Sequence, residues 1–325
     1  MVSGDQTRGM SRPGAVFHPG PRRVIGVLLM LAAGIPGMAE DTSPPRAITL
    51  DEDGGWCWFE GPRAVVHGDL LLVGSVASGY RDPDRKGDIN LIVLDLQKEL
   101  ATRVELYDRF QLDDHDSPAL LRLADGRWLA VFARHGNDPH FYYRFSLPDD
   151  PLRWSEVRQY APSSTTRLTY SNVFQLPEEG GRIYNFFRGL DDSFKPSWVY
   201  SEDNGETWHT GNVFINVPSR EKHRPYVRYV SDGRGTVHMA YTEGHPRDWD
   251  NSIYHIFYRG GILHDSAGKP VAPLDQGLPR PEAGTRVFAG TPDAVAWCND
   301  IVLDGDGLPV IAYSVQMNSA GLPPG

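Results

Sequence analysis

Four polar side chains stand at matching places in two neighbouring predicted hairpins. His115 precedes the first hairpin and His135 closes it, so a hairpin of this length places both near one end. Tyr170 and Arg188 stand in the same relation to the next hairpin. A packed core does not require polar groups at equivalent ends, although any one of the four alone would more often be structural. Imidazole, phenol and guanidinium groups can transfer protons and balance negative charge, so the set predicts a functional site.

A second set of side chains has the types that bind zinc but lies far apart in the sequence. His245, His255 and Cys298 are of this kind, and His223 or His238 could complete a site with four ligands. The wide spacing lacks the tight pairing of zinc-finger patterns, so the sequence alone gives weak support to a metal site. The alternative is that the histidines make ordinary hydrogen bonds and that Cys298 is a buried packing thiol.

The elements that would carry these residues are short strands joined by turns. After residue 39 no long segment has helical apolar periodicity, whereas short β-rich runs bounded by Asp and Gly turns recur. Between 125 and 304 the unit returns about every 55–60 residues, slightly above the ~40–50 typical of propeller blades. Regular hairpins without helices predict an all-β fold, either a sandwich or a propeller, and the repeat favours the propeller. Three clear hairpins are 119–123 with 128–133, 172–176 with 183–187, and 226–229 with 236–241.

One segment carries every element of an Asp-box. Residues 201–208 read S-E-D-N-G-E-T-W. Asn204 and Gly205 suit a turn with positive φ, and Ser201 and Asp203 can hydrogen-bond its backbone. Trp208 is predicted to pack into the blade. The motif therefore indicates a structural propeller hairpin and carries no chemistry of its own.

Composition limits the classes of partner. The 325 residues include 32 basic and 42 acidic side chains, which give a net charge of −10 without a basic run. Non-specific nucleic-acid binding needs clustered Lys and Arg and is not expected, although a locally basic cleft could still bind a polyanion. The two cysteines, Cys57 and Cys298, are too few for a disulfide scaffold.

The N-terminal 39 residues have the pattern of a secretory signal. Arg22 and Arg23 precede an apolar run over 24–33, and Gly37 and Ala39 provide small residues for cleavage. The run is shorter than the ~20 apolar residues of a membrane-spanning helix. We therefore expect residues 1–39 to be a signal peptide with a preceding region, and the mature protein to be secreted or periplasmic without a membrane segment. A buried N-terminal helix is the alternative.

The predicted mature domain covers residues 40–325. Its last residues follow a hairpin that should begin a new blade. Since a propeller closes its ring to avoid open edges, we expect a β-propeller catalytic domain that is truncated at its C-terminus.

Motifs along this domain resemble those of one family. From about residue 50 onward the chain is similar to the BNR-repeat (Asp-box) β-propeller family that contains ulvan lyases and related rhamnose–glucuronate polysaccharide lyases. The resemblance implies a seven-bladed propeller, incomplete here, that cleaves a rhamnosyl–uronate linkage by β-elimination. The motifs are GGWCWFEGPRAVV (54–66), DDHDSPALL (113–121), ARHG (133–136), TYSNV (169–173), FFRG (186–189), HRPYVRY (223–229) and YTEGHPR (241–247).

The resemblance also implies roles for individual residues. Tyr170 would be the base, the acid or both, with His115 as its partner across the sugar. Arg188 and His135 would hold and neutralise the uronate carboxylate, as elimination requires. A tyrosine base needs a lowered pKa, and Arg188 is expected to favour the phenolate.

Further implications concern the cleft and the metal. Arg224 and Tyr226 would bind substrate, although packing explains Tyr226 equally well. His245, His255 and Cys298 would hold a structural zinc ion, while the chemistry itself would need no cofactor. We expect a monomer that acts on an anionic polysaccharide containing uronate and rhamnose.

Two other functions stay open on the same scaffold. One is a glycoside hydrolase, such as a rhamnosidase or a sialidase-like enzyme. A sialidase should have an arginine triad and a Tyr/Glu pair, and only Arg63 is suggestively placed. A non-catalytic carbohydrate-binding propeller is the third interpretation, because a fold does not dictate a function. The four residues of the first cluster favour elimination over both.

Overall fold

The computed structural model consists of antiparallel sheets that follow one another along the chain. It describes residues 47–163, 166–190, 194–216, 224–245, 247–248 and 250–318. The predicted signal segment, His223 and the final residues 319–325 lie outside this part. The described elements belong to the unit Ile48–Gly325. No helix among them is long and apolar enough to cross a membrane.

The strands form five sheets in sequence order. Sheet one contains β1 (Gly54–Gly55), β2 (Ala64–His67), β3 (Leu70–Ala77), β4 (Ile89–Asp95) and β5 (Leu100–Tyr107). Sheet two contains β6 (Ala119–Arg122), β7 (Trp128–Ala133), β8 (Phe141–Leu147), β9 (Asp150–Trp154) and β10 (Arg158–Tyr160). Sheet three contains β11 (Thr169–Leu176), β12 (Arg182–Arg188), β13 (Pro196–Ser201) and β14 (His209–Val213).

The fourth sheet is the largest and the fifth is a single hairpin. Sheet four contains β15 (Val227–Ser231), β16 (Thr236–Tyr241), β17 (Ile253–Arg259), β18 (Ile262–His264), β19 (Pro270–Pro273) and β20 (Thr285–Phe288). Sheet five contains β21 (Ala294–Leu303) and β22 (Pro309–Met317). Five 3₁₀ segments complete the described elements: Trp58–Glu60, Pro83–Arg85, Asp114–Asp116, Pro177–Glu179 and Pro281–Ala283. The prediction of an all-β chain is therefore confirmed.

The predicted hairpins form as the turn chemistry indicated. Leu120 pairs with Ala130, Val173 pairs with Asn185, and Arg228 pairs with Ala240. These turns form because Asp and Gly adopt the backbone conformations that a tight connection needs. The described residues form five sheets, and the seven-blade count stays a prediction.

Each sheet packs face to face with the next, so the core is divided among the sheet interfaces. Leu91 of sheet one and Trp128 of sheet two belong to one buried cluster. Phe141 of sheet two and Ile183 of sheet three belong to the next. Further clusters join sheet three to sheet four and sheet four to sheet five. Aromatic and branched side chains on both faces of a strand are consistent with sheets covered on each side.

The Asp-box forms the predicted hairpin between β13 and β14. Asp203 accepts hydrogen bonds from the Thr207 backbone N–H at 2.8 Å and from its hydroxyl at 2.6 Å. The Ser201 hydroxyl accepts from the N–H of Gly205, which has a φ of 86°. Trp208 is 5% exposed and packs on Phe141 of sheet two. The motif thus fastens two sheets together and takes no part in the polar cluster described below.

Candidate active site

Tyr170 is positioned by an irregularity in β11. The pairing of β11 with β12 shifts register between Thr169 and Asn172, so the strand bulges at Tyr170. Tyr170 has a φ of 60°, a conformation that few non-glycine residues adopt. A bulge redirects a side chain, and such local strain often occurs at functional sites. The Tyr170 ring is 6% exposed and packs on Phe59 with ring centroids 5.6 Å apart.

His115 and His135 form a stacked pair beside Tyr170. His115 lies in the short 3₁₀ segment before β6, and His135 follows the end of β7. Their ring centroids are 4.2 Å apart with an interplanar angle of 23°. The ring centroid of Tyr170 lies 5.6 Å from that of His115 and 5.9 Å from that of His135. The predicted proximity of these three residues is therefore present in the structure. The rings of His115 and Tyr170 lie side by side, however, so a sugar does not fit between them as the resemblance implies.

One carboxylate holds both imidazoles. Asp113 lies 2.7 Å from Nδ1 of His115 and 2.9 Å from Nδ1 of His135, with one oxygen for each ring. A carboxylate can only accept, so both Nδ1 atoms carry a proton and each Nε2 is the nitrogen left for other contacts. Asp113 also accepts from the backbone N–H of His115, which fixes the carboxylate.

The surroundings of His115 favour its charged form. Burial alone would lower its pKa, but the hydrogen bond to Asp113 and the contact with Cys57 outweigh burial and raise the pKa to about 10. Burial likewise opposes the charge on Asp113, yet hydrogen bonds from the two histidines hold its pKa well below the ordinary range. His115 is therefore an imidazolium at neutral pH, a cation beside the phenol of Tyr170.

The expected phenolate of Tyr170 is not what the structure favours. Burial raises the pKa of Tyr170 far above its usual value, and the charge of Arg188 offsets only part of this effect. The sequence does not reveal the burial of Tyr170, because the residues that cover its ring come from distant segments. Tyr170 is consequently a neutral phenol in the free protein and is suited to donate a proton.

Arg188 closes the cluster from the end of β12. Its guanidinium carbon is 5.2 Å from the centroid of the Tyr170 ring and 4.2 Å from that of Tyr226. Its Nε donates to the carbonyl of Phe194 at 3.2 Å, which orients the group. The residue is 5% exposed. Arg188 thus supplies a desolvated positive charge beside both phenols, where an anionic substrate group gains most from it.

Of the two other residues predicted to bind substrate, Tyr226 lies against Arg188 and Arg224 lies near His245. Tyr226 is 8% exposed and packs on Phe59 with ring centroids 4.6 Å apart. Arg224 is half-buried, and its Nε has no hydrogen-bond partner among the described residues. Arg224 is close enough for its charge to contribute to a lowered pKa of His245. Tyr226 is thus part of the cluster, with packing contacts, and Arg224 borders it.

The three predicted zinc ligands are not brought together. His245 lies beside Tyr226, with ring centroids 5.5 Å apart. His255 lies elsewhere, with Nε2 at 3.2 Å from Nδ1 of His238. Cys298 is in an apolar cluster of sheets four and five, where burial raises its pKa to about 12. In the described ranges, no close group of metal-ligand atoms includes these three residues, and a structural zinc ion stays a prediction. The fold separates these residues, and their spacing in the sequence does not reveal this.

His245 instead behaves as a neutral member of the cluster. Burial, followed by the charge of Arg247, lowers its pKa to about 4. Its Nδ1 accepts from the backbone N–H of Arg247 at 3.1 Å, so the proton lies on Nε2. His245 can therefore donate one hydrogen bond to a ligand.

Several residues that contribute to the cluster were given no role in the predictions from the sequence. Asp113 precedes His115 by two residues, and an Asp–x–His spacing within a 3₁₀ turn is a signal that could have revealed it. Phe59 and Trp297 pack around Tyr226, but they come from opposite ends of the chain. Glu60 is buried beside Arg63 at 3.2 Å, and burial raises its pKa to about 8. No local pattern distinguishes Phe59, Trp297 or Glu60 from ordinary core residues.

Comparisons with known proteins agree with this architecture. A family model described as a BNR repeat-containing family member matches residues 76–323. No curated protein gives a significant sequence match.

Solved structures with the same fold include two polysaccharide lyases. A PL25 ulvan lyase matches with a TM-score of 0.61 and 16% identity, over 81% of this chain and 67% of that one. The polysaccharide lyase Uly1 matches with a TM-score of 0.50 and 12% identity, over 89% of this chain and 75% of that one. A sialidase of Trypanosoma rangeli gives a TM-score of 0.44 and 15% identity, over 79% and 42% of the two chains. At these identities the two lyases establish the fold, so the predicted β-propeller is confirmed.

Proposed function

The chain belongs to the BNR repeat-containing family, and on this premise we propose that it is a polysaccharide lyase that cleaves a rhamnosyl–uronate linkage by β-elimination. The observation that carries the proposal is the cluster of His115, His135, Tyr170 and Arg188. It combines an oriented imidazole pair, a neutral phenol and a buried guanidinium within a few ångströms. Elimination at a uronate needs a base, an acid and a group that neutralises a carboxylate, and the side chains of this cluster have the chemistry for each role.

The proposed reaction breaks two bonds and forms one double bond. A base removes the proton on C5 of the uronate, and the electrons of that bond form the double bond between C4 and C5. The C4–O4 bond then breaks, and O4 leaves with its electron pair and takes a proton from an acid. Neutralisation of the carboxylate lowers the energy of the enolate-like intermediate. No oxidant, reductant or cofactor enters this balance.

His115 is the proposed base. Since Asp113 fixes the proton of His115 on Nδ1, loss of the second proton exposes a lone pair on Nε2. The raised pKa makes this nitrogen a strong base, which suits the weakly acidic C5 proton. Because of the raised pKa, only a small fraction of the protein has an unprotonated His115 at neutral pH. The reaction should therefore be faster at alkaline pH.

Tyr170 is the proposed acid and Arg188 the proposed carboxylate partner. Burial keeps Tyr170 protonated, as a group that donates to the leaving oxygen must be. Arg188 is desolvated and lies between Tyr170 and Tyr226, so a bound carboxylate would meet it in a region of low dielectric. His135, whose Nε2 is free of Asp113, would add a second contact to the carboxylate.

The setting of the enzyme is part of the proposal. We propose a secreted or periplasmic monomer whose partner is an ulvan-like polymer, on the basis of the signal-like residues 22–39 and the motif resemblance. Arg224 and Tyr226 would contact that polymer.

The experiment that tests the function is incubation with ulvan, followed by absorbance of the unsaturated uronate that elimination creates. We expect absorbance to rise with the wild-type protein and to be lost in Tyr170→Phe. Tyr160→Phe is the matched control, because it removes a phenol hydroxyl that bonds Thr210 at the edge of sheet two. Full activity of Tyr170→Phe would contradict the role of Tyr170. New reducing ends without absorbance would indicate a hydrolase, and binding without cleavage would indicate a carbohydrate-binding propeller.

A further inference from the structure

Glu60 is a buried acid beside the proposed active site that the proposed reaction does not use. It is the last residue of the 3₁₀ segment Trp58–Glu60 and is 3% exposed. Its Oε1 accepts a hydrogen bond from Arg63 at 3.2 Å, whereas its Oε2 has no hydrogen-bond partner among the described residues. A buried oxygen without a partner is unfavourable for an ionised carboxylate and suits an acid that keeps its proton. Glu60 therefore holds a proton that Arg63 does not engage.

The surroundings of Glu60 keep it protonated at neutral pH. Burial raises the pKa of Glu60 to about 8, although the charges of Arg63 and His115 oppose the rise. The negative charge of Asp114 adds to the rise. Asp116 is a second buried acid nearby, and its pKa is raised by burial and by the charges of its neighbours, Glu60 among them. Most of the protein thus has a neutral acid at Glu60 near pH 7.

A small cavity joins Glu60 to Tyr170. Its volume is about 10 Å³, and its lining includes Tyr170, Glu60, Asn172 and Arg188. This is room for about one water molecule, and these side chains offer the polar partners that a buried water needs. Burial raises the pKa of Tyr170 far above its usual value, and a negative charge on Glu60 adds to the rise. A proton therefore moves from Glu60 to a phenolate of Tyr170 with a gain in free energy.

A larger cavity brings solvent to the other side of Glu60. It has a volume of about 520 Å³ and is lined by β2, β6, β11 and β15, one strand from each of sheets one to four. Glu60 and Asn172 line both cavities. The lining of the larger one also includes Pro62, Ala64 and Gly233, which are exposed, and none of the four residues of the proposed active site. Glu60 can thus regain a proton from solvent without using the substrate side of Tyr170.

We infer that Glu60 returns a proton to Tyr170 after each turnover, through the small cavity that both residues line. The inference rests on the proposed function, in which Tyr170 gives its proton to the leaving oxygen and becomes a phenolate. Glu60 then protonates Tyr170 through one water molecule and takes a new proton from solvent in the larger cavity. His115 loses the C5 proton to solvent, so the protons balance over one turnover. Glu60 acts through Tyr170 and does not touch the sugar.

The test is stopped-flow absorbance of the unsaturated uronate formed from ulvan by the full chain. Glu60→Gln keeps the shape of the side chain but removes its acidic proton. The first turnover should keep the wild-type rate, and later turnovers should be about 10- to 100-fold slower. Since kcat/KM covers only the steps up to elimination, it should stay within about twofold of the wild-type value while kcat and KM fall together. The size of the initial burst counts the folded active sites.

Asp116→Asn is the matched control. Asp116 is 0% exposed, and its carboxyl oxygens also have no hydrogen-bond partner among the described residues, but it lines neither cavity. We expect no burst in this variant.

The pH dependence gives a second readout. As the pH rises above about 8, Glu60 loses its proton, so the wild-type kcat should fall while kcat/KM continues to rise. In Glu60→Gln this fall of kcat should be absent.

The outcomes separate this inference from the lyase function. A burst followed by slow turnover in Glu60→Gln, with linear product formation in Asp116→Asn, would support the role of Glu60. Wild-type kinetics in Glu60→Gln, or an equal loss of kcat and kcat/KM, would overturn that role and leave the lyase function standing. No unsaturated product from the folded wild-type protein would refute the lyase function and the role of Glu60 with it.

Discussion

Replacement of Asp113 by Asn is predicted to move the pH dependence of the reaction. Burial opposes the charge of His115, but the hydrogen bond to Asp113, followed by the interaction with Cys57, raises its pKa from 6.5 to about 10. At 1.36 kcal/mol per pKa unit, this rise corresponds to a preference of about 5 kcal/mol for the imidazolium. Asparagine keeps the shape of Asp113 but has no charge. The pKa of His115 should therefore fall by about 1–3 units in the variant.

The consequence is measured as kcat/KM from mildly acidic to strongly alkaline pH. If His115 is the base, the wild-type value should rise about tenfold per pH unit toward a plateau near pH 10. In Asp113→Asn the rising limb should move to lower pH, and the plateau should fall because a weaker base removes the C5 proton more slowly. Proton NMR of the His115 ring gives the same pKa without turnover.

Asp114→Asn is the matched control for this experiment. Asp114 also lies 2.9 Å from Nδ1 of His115, but its side chain is 55% exposed and solvent screens its charge. We expect a smaller shift than in Asp113→Asn. If Asp113→Asn shifts neither the rising limb of kcat/KM nor the pKa of His115 measured by NMR, the proposal that His115 is a base controlled by Asp113 is refuted.

Three other changes have distinct expected results. Arg188→Lys should lower kcat/KM by about 10²–10³, measured by initial rates, because a flexible ammonium cannot replace the oriented guanidinium; a loss below threefold would contradict its role. Asp203→Ala should lower the free energy of unfolding by about 1–3 kcal/mol in urea titrations without changing kcat, since the Asp-box is structural; a selective loss of kcat would contradict this. Burial raises the pKa of Asp116 from 3.8 to about 9, so its contribution to stability is full below pH 3.8 and is lost as the pH rises toward 9. The thermal midpoint should accordingly fall over that window, and Asp116→Asn should flatten the fall; an identical slope would refute the assignment.

The hairpins could be predicted from the sequence because their signals are local. Asp232 and Gly233, for example, form the turn between β15 and β16, where Asp232 accepts from the backbone N–H of Thr236 at 2.9 Å. The Asp-box is similarly self-contained, since Asp203 bonds residues within four positions. Such patterns specify short-range structure whatever the distant partners are.

The chemistry of the site could be predicted only in part. The grouping of His115, His135, Tyr170 and Arg188 followed from equivalent positions at hairpin ends. The protonation of Tyr170 did not, because its pKa depends on burial under Phe59, more than a hundred positions earlier. The bulge that turns Tyr170 inward has no signature in the sequence.

The location of His245 also could not be predicted from its neighbours in the sequence. Its ring contacts Tyr226 and Trp297, and the latter belongs to another sheet. Zinc-ligand chemistry grouped it with His255 and Cys298 by residue type alone. Tertiary packing places His245 beside Tyr226 and Trp297, next to the proposed substrate site.

The most direct test of the central claim is mass spectrometry of the oligosaccharides released from ulvan in water enriched in oxygen-18. Elimination breaks the C4–O4 bond without adding water, so the account predicts products that carry an unsaturated terminal uronate and are one water lighter than the products of hydrolysis. Tyr170→Phe should release none of them. Saturated products that carry oxygen-18 at the new reducing end would establish hydrolysis and contradict the account.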